Sequence, residues 1–457
     1  MVEESAVEKF KASLRGALLR PGETGYDEAR RVWNGMIDKR PALIARCAGV
    51  ADVIHCVNFA HANNLLVAVR GGGHNVSGNA VCDGGLMIDL SCMKSVRVDP
   101  TRRTARAEPG VTWGEFDRET QAFGLATTGG QISTTGIAGL TLGGGWGYLA
   151  RQYGLTCDNL LSVDLVTADG QFLTSSVAEN ADLFWGVRGG GGNFGVVTSF
   201  EYQLHPVGPV LAGIVAYPYQ KAKEVLKLFR EFTRVAPDEL ASGVVLVSLP
   251  DGTPVIGIVL CYSGPLAEGE RITKSLKAFG APLVDQIGPI PYTAAQQLIY
   301  AFYPFGLQNY WKSSFLEKIS DEAIDTMVAY CAQRPSPMCH GLIEHQLGGA
   351  VSRADRETTA FAHRDVEYSF MALGVCDNQA GAEKCSRWAR EFWDAMQPGS
   401  IGGVYVNYLG TEADEGPERI KAAYGPEKYA RLVALKNRYD PTNLFRLNQN
   451  IKPSPAL

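Results

Sequence analysis

The chain has 457 residues, enough for two or three domains with filled cores, and its 46% hydrophobic and 20% charged content is that of an ordinary globular protein. A formal net charge of −5 disfavours nonspecific nucleic-acid binding, and no stretch approaches the roughly 20 apolar residues that a membrane helix needs. The N-terminal MVEESAVEKFKASLRGALLR mixes charges throughout and lacks the apolar core of a secretory signal, so the expectation is a soluble, cytoplasmic protein with no nucleic-acid or membrane partner. Oligomeric state is not written in the sequence.

Pro41–Cys47 reads as a short strand, and Gly49–Asn64 as a helix, with Val50, Val53, Ile54 and Val57 at helical spacing. Leu65–Val69 is a continuous apolar strand that stops at Arg70-Gly71-Gly72-Gly73-His74, and Leu86–Asp89 is the next strand. Strand, helix, strand and glycine loop form the α+β grammar of a nucleotide site. Val96–Ala107 alternates like an exposed-face strand, with Arg102 and Arg103 at a solvated hairpin tip. Gly110–Phe123 reads as a helix, and Leu161–Thr167 and Val196–Leu204 as strands.

Near His205-Pro206 the texture changes. Glycine thins out, while strand-like runs (Val244–Leu249, Val255–Cys261) alternate with helical ones (Lys221–Val235, Asp321–Ala332). Beyond 410 the chain turns helical and charged, with Pro426 at a helix start and Asp440-Pro441 at its end. The expected fold is α+β, with residues 1–205 as one domain, 206–405 as an inserted domain of sheet covered by helices, and 406–457 returning to the first.

Ten cysteines in a chain of this length do not make a disulfide scaffold, and no CxxC or HExxH pair supplies metal-ligand spacing, so no metal is expected. Cys339-His340 with His345 reads as packing. The unusual count is glycine, 51 in all, clustered at 71–85, 129–147 and 186–195. Three glycines at a strand end let backbone N–H groups converge on an anion. Neither a Rossmann fingerprint nor a Walker loop is present. Three such blocks fit one long ligand lying across all of them better than repetition of a turn.

Those blocks, with Tyr153–Asn159, Leu183–Gly191, Asn193–Val197, Tyr405–Tyr408 and Tyr424–Phe445, run in order from about residue 40 to 451. In that order they resemble the FAD-linked oxidases of the vanillyl-alcohol-oxidase (PCMH) type. More narrowly, they resemble the berberine-bridge-enzyme-like branch, which includes oligosaccharide oxidases, antibiotic-tailoring oxidoreductases and 6-hydroxynicotine oxidase. The resemblance implies a PCMH-type FAD domain holding FAD by two covalent bonds, through His74 and Cys157. It further implies that Arg70, Gly71, Gly72, Gly73, Asn75, Ser77 and Gly78 wrap the pyrophosphate. Gly130, Thr134, Gly136, Gly139, Leu140, Gly144, Gly145 and Val197 would complete the cleft, and Tyr405 and Asn407 would line the cofactor.

The same resemblance places Tyr408 beside the substrate. A tyrosine is a poor base at its usual pKa of about 10, so it needs help from a charge or a proton relay. Glu344 and Glu367 are the two carboxylates on strand-like segments that fit that role, and alternation puts Asp365 and Glu367 on one face. Tyr300, Phe302, Tyr303, Phe305, Tyr310 and Trp311 form an aromatic run, either a substrate wall or plain packing. Leu160 stands where plant relatives use valine to admit dioxygen, which bears on whether dioxygen or another molecule takes the electrons. The implied reaction is oxidation of a small alcohol, sugar hydroxyl or amine by hydride transfer to flavin N5, with dioxygen giving hydrogen peroxide. A natural-product tailoring oxidase, a dehydrogenase and a non-catalytic flavin carrier are the alternatives.

Overall fold

In the computed structural model, residues 2–249, 251–410 and 415–455 are described, and the residues just after 410 lie outside them. Three sheets organise the chain. The first has the order Ala17–Leu19, Leu43–Arg46, Leu86–Asp89, Val67–Arg70, with its last three strands parallel. The helix Val50–Ala62 makes the crossover between two of those parallel strands. Val53, Cys56, Val57 and Ala60 form its buried face.

The second sheet is antiparallel, in the order Val96–Asp99, Thr104–Ala107, Val196–Gln203, Leu160–Val166, Phe172–Ser176. The alternating run from Val96 is therefore two strands rather than one. Val96 pairs with Ala107, and the chain reverses through Arg103 at φ +54. The helix Trp113–Gln121 begins where Thr112 and Glu115 form a capping box, the Glu115 carboxylate accepting from the Thr112 amide at 2.9 Å.

The third sheet has eight strands, all antiparallel. Its main order is Val284–Asp285, Val210–Pro218, Pro254–Tyr262, Leu240–Ser248, His340–His345, Tyr368–Cys376, Gln308–Leu316. Ala222–Arg234 packs Val225, Leu226, Phe229 and Phe232 into the core of this sheet, which also takes in Asp321–Ala332 and Gln379–Met396. The helix Asp321–Ala332 matches its sequence expectation. The 18-residue helix Gln379–Met396 was not anticipated, because its apolar positions sit among charges. The chain then returns to the second sheet's core through Val404, Tyr405 and Val406, ahead of the helices Pro417–Tyr424 and Pro426–Tyr439. No helix among the described residues is long and apolar enough to cross a membrane.

Candidate active site

A cleft of about 320 Å³ runs between the glycine loops and the third sheet. Its floor is backbone. The strand Val67–Arg70 ends in Gly71–Gly73, and a Cβ on Gly72 would stand 2.5 Å from Gly136 Cα. Two chain segments meet there with no room for a side chain between them. Much of the glycine richness has this cause: Gly147 is pressed on the Gly129 carbonyl, Gly144 on the Phe361 ring and Gly143 on Asn407. Gly139 and Gly192 differ, since both line the cleft and have open space where a Cβ would project. No lysine or arginine lines the cleft among the described residues, so an anion there is held by backbone N–H groups.

His74 lies on the cleft wall with its ring stacked on Trp33, centroids 4.3 Å apart. Its Nε2 is buried and has no hydrogen-bond partner, and burial lowers its pKa to about 4. It is a neutral imidazole with a free lone pair. Asn75, Gly71–Gly73, Gly130, Gly136, Gly139, Leu140, Val197, Tyr405 and Asn407 also line the cleft. The Tyr405 hydroxyl accepts from the Gly145 amide at 3.0 Å and from Asn407 Nδ2 at 2.8 Å, which ties the returning segment to the second glycine block.

Several expected site residues stand elsewhere. Arg70 turns away from the cleft, its Nε donating to Asp89 Oδ1 at 2.9 Å and its other nitrogens to Asp89 and the carbonyls of Ala29 and Arg31. Ser77 is buried against Asn75 Oδ1 at 2.6 Å, and Gly78 faces Ile37. Thr134 is exposed, while its neighbours Ile132 and Thr135 reach the wall. Gly144 and Gly145 form the layer behind the wall.

Cys157 lies behind the wall. Its amide donates to the Gly144 carbonyl at 2.8 Å, placing the thiol one layer behind that segment, fully buried and off the cleft wall. Burial and the neighbouring Asp158 charge push its pKa up, the opposite of what a nucleophilic thiolate needs. Leu160, at the start of its strand opposite Tyr202, is likewise buried away from the cleft.

At the far end of the cleft the strand His340–His345 alternates, so His340, Leu342 and Glu344 share a face. Glu344 is the only charged side chain on the wall among the described residues. Its carboxylate accepts from the Tyr408 hydroxyl at 3.3 Å and from the Trp146 indole, and burial raises its pKa to about 7. Burial and the Glu344 charge hold Tyr408 well above the ordinary tyrosine value. Glu367 does not join them. It precedes the strand Tyr368–Cys376, is exposed, and lies against Gly348 in the electrostatic reach of Arg151. Of the aromatic run, Tyr303 and Trp311 line the cleft, Tyr310 is buried in the third sheet's core, and Tyr300, Phe302 and Phe305 face solvent.

Residues 41–176 match the model of the FAD binding domain, and 404–452 that of the berberine and berberine-like family. An FAD-linked oxidoreductase of Dictyostelium discoideum is 34% identical over 452 residues, covering 98% of this chain and 97% of the relative. The (R)-6-hydroxynicotine oxidase of Paenarthrobacter nicotinovorans is 34% identical over 459 residues, covering 96% and 97%. The chain belongs to the berberine-like family of FAD-linked oxidoreductases. The crystal structure of 6-hydroxy-D-nicotine oxidase from Arthrobacter nicotinovorans superposes with a TM-score of 0.89 at 31% identity, covering 97% of this chain and 99% of that one. Chitooligosaccharide oxidase gives 0.86 at 25%, covering 98% and 100%.

The residues present fit FAD. A neutral buried imidazole with an unpartnered nitrogen and a glycine-lined trough of backbone N–H groups that continues to Glu344 and Tyr408 are the features this FAD-linked oxidoreductase needs. The sequence reading missed Trp33, Trp146 and the wall segment Leu447–Gln449. Trp146 stood inside the second glycine block and was legible as the one large side chain there. Trp33 carried no local signal.

Proposed function

We propose that this enzyme oxidises a small, largely apolar alcohol or amine, with FAD attached through one covalent bond at His74 and dioxygen as the final acceptor. Residues 1–205 and 406–457 would hold FAD, and 206–405 the substrate. The observation that carries the reading is the Tyr408–Glu344 hydrogen bond in a chamber whose wall includes Tyr303, Trp311, Leu342, Met371 and Leu373. Bound FAD supplies the acceptor for the hydride leaving the substrate carbon. The substrate's hydroxyl proton moves to the Tyr408 oxygen as the Tyr408 proton moves to Glu344. Tyr408 alone is too weak a base, and Glu344, with a pKa near 7, is matched to work close to neutrality.

A single link is favoured because His74 lines the wall, whereas Cys157 sits behind it. Amine oxidation is the second reading, favoured by Glu344 as the one charge facing the substrate; there a neutral amine loses hydride without a base. A sugar hydroxyl is supported less, because Leu342, Met371 and Leu373 leave most of a polyol's remaining hydroxyls without partners. Leu160 does not face the cleft and so does not count against dioxygen. The test is peroxide release by the flavin-loaded enzyme across aromatic alcohols, amines and sugars. Flavin reduced by none of them sinks the oxidase reading, while reduction without peroxide on aeration points to a dehydrogenase.

A further inference from the structure

Beside Glu344 and Tyr408, one more polar group faces the substrate chamber, and its proton position can be worked out. His340 Nδ1 lies 2.7 Å from the Met338 carbonyl, which can only accept, so Nδ1 carries the hydrogen. The ring is buried, which lowers its pKa to about 4, so it is neutral and Nε2 holds only a lone pair. Nε2 stands 3.0 Å from the Tyr303 hydroxyl, and the phenol must therefore donate. The Trp33 indole donates to the Tyr303 carbonyl at 3.2 Å and fixes the backbone that carries it. With its hydrogen committed to His340, Tyr303 has only oxygen lone pairs left for the chamber.

The same accounting holds for the other two groups. Tyr408 has given its hydrogen to Glu344, and Glu344 accepts from Tyr408 and Trp146. Tyr303 and Tyr408 offer acceptors to a ligand, as does Glu344 once ionised above about pH 7, and no lysine or arginine lines the cleft among the described residues.

We propose that Tyr303, oriented by His340, is a specificity-determining residue that accepts a second N–H or O–H of the substrate, remote from the carbon being oxidised. The substrate class that follows is a neutral or cationic aromatic alcohol or amine bearing a second hydrogen-bond donor, and carboxylates are rejected. The inference rests on the proposed alcohol or amine oxidation for the placement of the reacting end. A substrate lacking the donor leaves the Tyr303 oxygen desolvated and unpaired.

The test uses flavin-loaded enzyme under anaerobic conditions, titrated with benzyl alcohol and its 4-hydroxy, 4-methoxy and 4-carboxy derivatives. Binding is read from perturbation of the flavin spectrum, or from saturation of the reduction rate where the probe reacts. Wild type is expected to bind the 4-hydroxy probe about tenfold tighter than the 4-methoxy probe, the scale of one hydrogen bond, and not to bind the 4-carboxy probe. Tyr303→Phe should reduce that preference to near unity. His340→Leu frees the Tyr303 hydroxyl to turn and donate to the oxygen of either probe, so the preference should shrink toward unity although Tyr303 itself is intact. Equal binding of the 4-hydroxy and 4-methoxy probes by wild type, an unchanged ratio in Tyr303→Phe, or no binding of any probe overturns the proposal. A 4-hydroxy preference without flavin reduction leaves the proposal standing and overturns the alcohol-oxidation reading instead.

Discussion

Tyr408 donates its phenolic hydrogen to Glu344 across 3.3 Å, although the two residues stand 64 positions apart. The strand His340–His345 brings Glu344 from inside the third sheet, and the return of the chain after Gln379–Met396 brings Tyr408. If Tyr408 relays the substrate proton, Tyr408→Phe removes the relay and keeps the ring. Flavin reduction by an alcohol should slow by ~10²–10⁴-fold with FAD content unchanged. Glu344→Gln should fall in the same range, and the double variant should be little worse than either single one. Stopped-flow reduction measures all three, and multiplicative losses in the double variant would separate the two roles.

The pH dependence follows from Glu344. Burial raises its pKa to about 7, so the carboxylate that accepts the proton is formed only as pH rises through that value. The limiting reduction rate with an alcohol should climb about tenfold per pH unit below 7 and level off above it. Glu344→Gln should abolish that limb. Stability runs the other way. The folded pKa lies above the unfolded value of 4.5, so the native state holds the proton more tightly. Its contribution is complete below pH 4.5 and disappears as pH rises through about 7. Thermal melts should therefore show Glu344→Gln gaining on wild type between pH 4.5 and 8. A gain confined to low pH would contradict the assignment.

Glycines of two kinds separate folding from cofactor binding. Gly72→Ala puts a methyl group 2.5 Å from Gly136 Cα and should cost about 3 kcal/mol or more, visible in melts of FAD-free protein. Gly139 lies inside the helix Ile137–Leu142 and has no protein atom within 4 Å of the new methyl group. Gly139→Ala should leave FAD-free protein as stable as wild type, or up to about 1 kcal/mol more so. Its methyl group points into the cleft, and the absorbance ratio of flavin to protein should fall. Full FAD content in that variant would place the dinucleotide away from this wall.

Local pattern made the first half of the chain legible, because its strands are short, apolar and punctuated by glycine. Leu86–Asp89 falls where its apolar run and the loop before it place it. Non-local assembly was not legible. Glu344 and Glu367 look equivalent in sequence, yet only Glu344 lies within a strand that turns a face to the cleft. Glu367 falls one residue before its strand begins. Cys157 sits inside a motif of the family, and only the backbone bond to Gly144 reveals that it packs behind the wall. Trp33 is remote from every glycine block and meets His74 only because the Gly73 carbonyl accepts from the Trp33 amide at 3.0 Å.

Flavin attachment provides the last prediction. His74 lines the cleft wall with its ring held against Trp33 and its buried Nε2 without a hydrogen-bond partner, and burial lowers its pKa to about 4. Acid-precipitated protein should stay yellow, and one peptide, carrying His74, should bear the flavin mass. His74→Ala should release its FAD into the acid supernatant. Cys157→Ala should keep both the link and the flavin spectrum, losing only the stability of a small buried side chain, about 1–2 kcal/mol. Trp33→Leu leaves the imidazole without its stacking partner, so flavin incorporation should be slower and the final occupancy lower, with attachment still at His74. Mass spectrometry of the digested holoenzyme decides between one link and two. A peptide in which Cys157 carries flavin would mean that the segment Gly143–Gly147 moves aside when FAD binds.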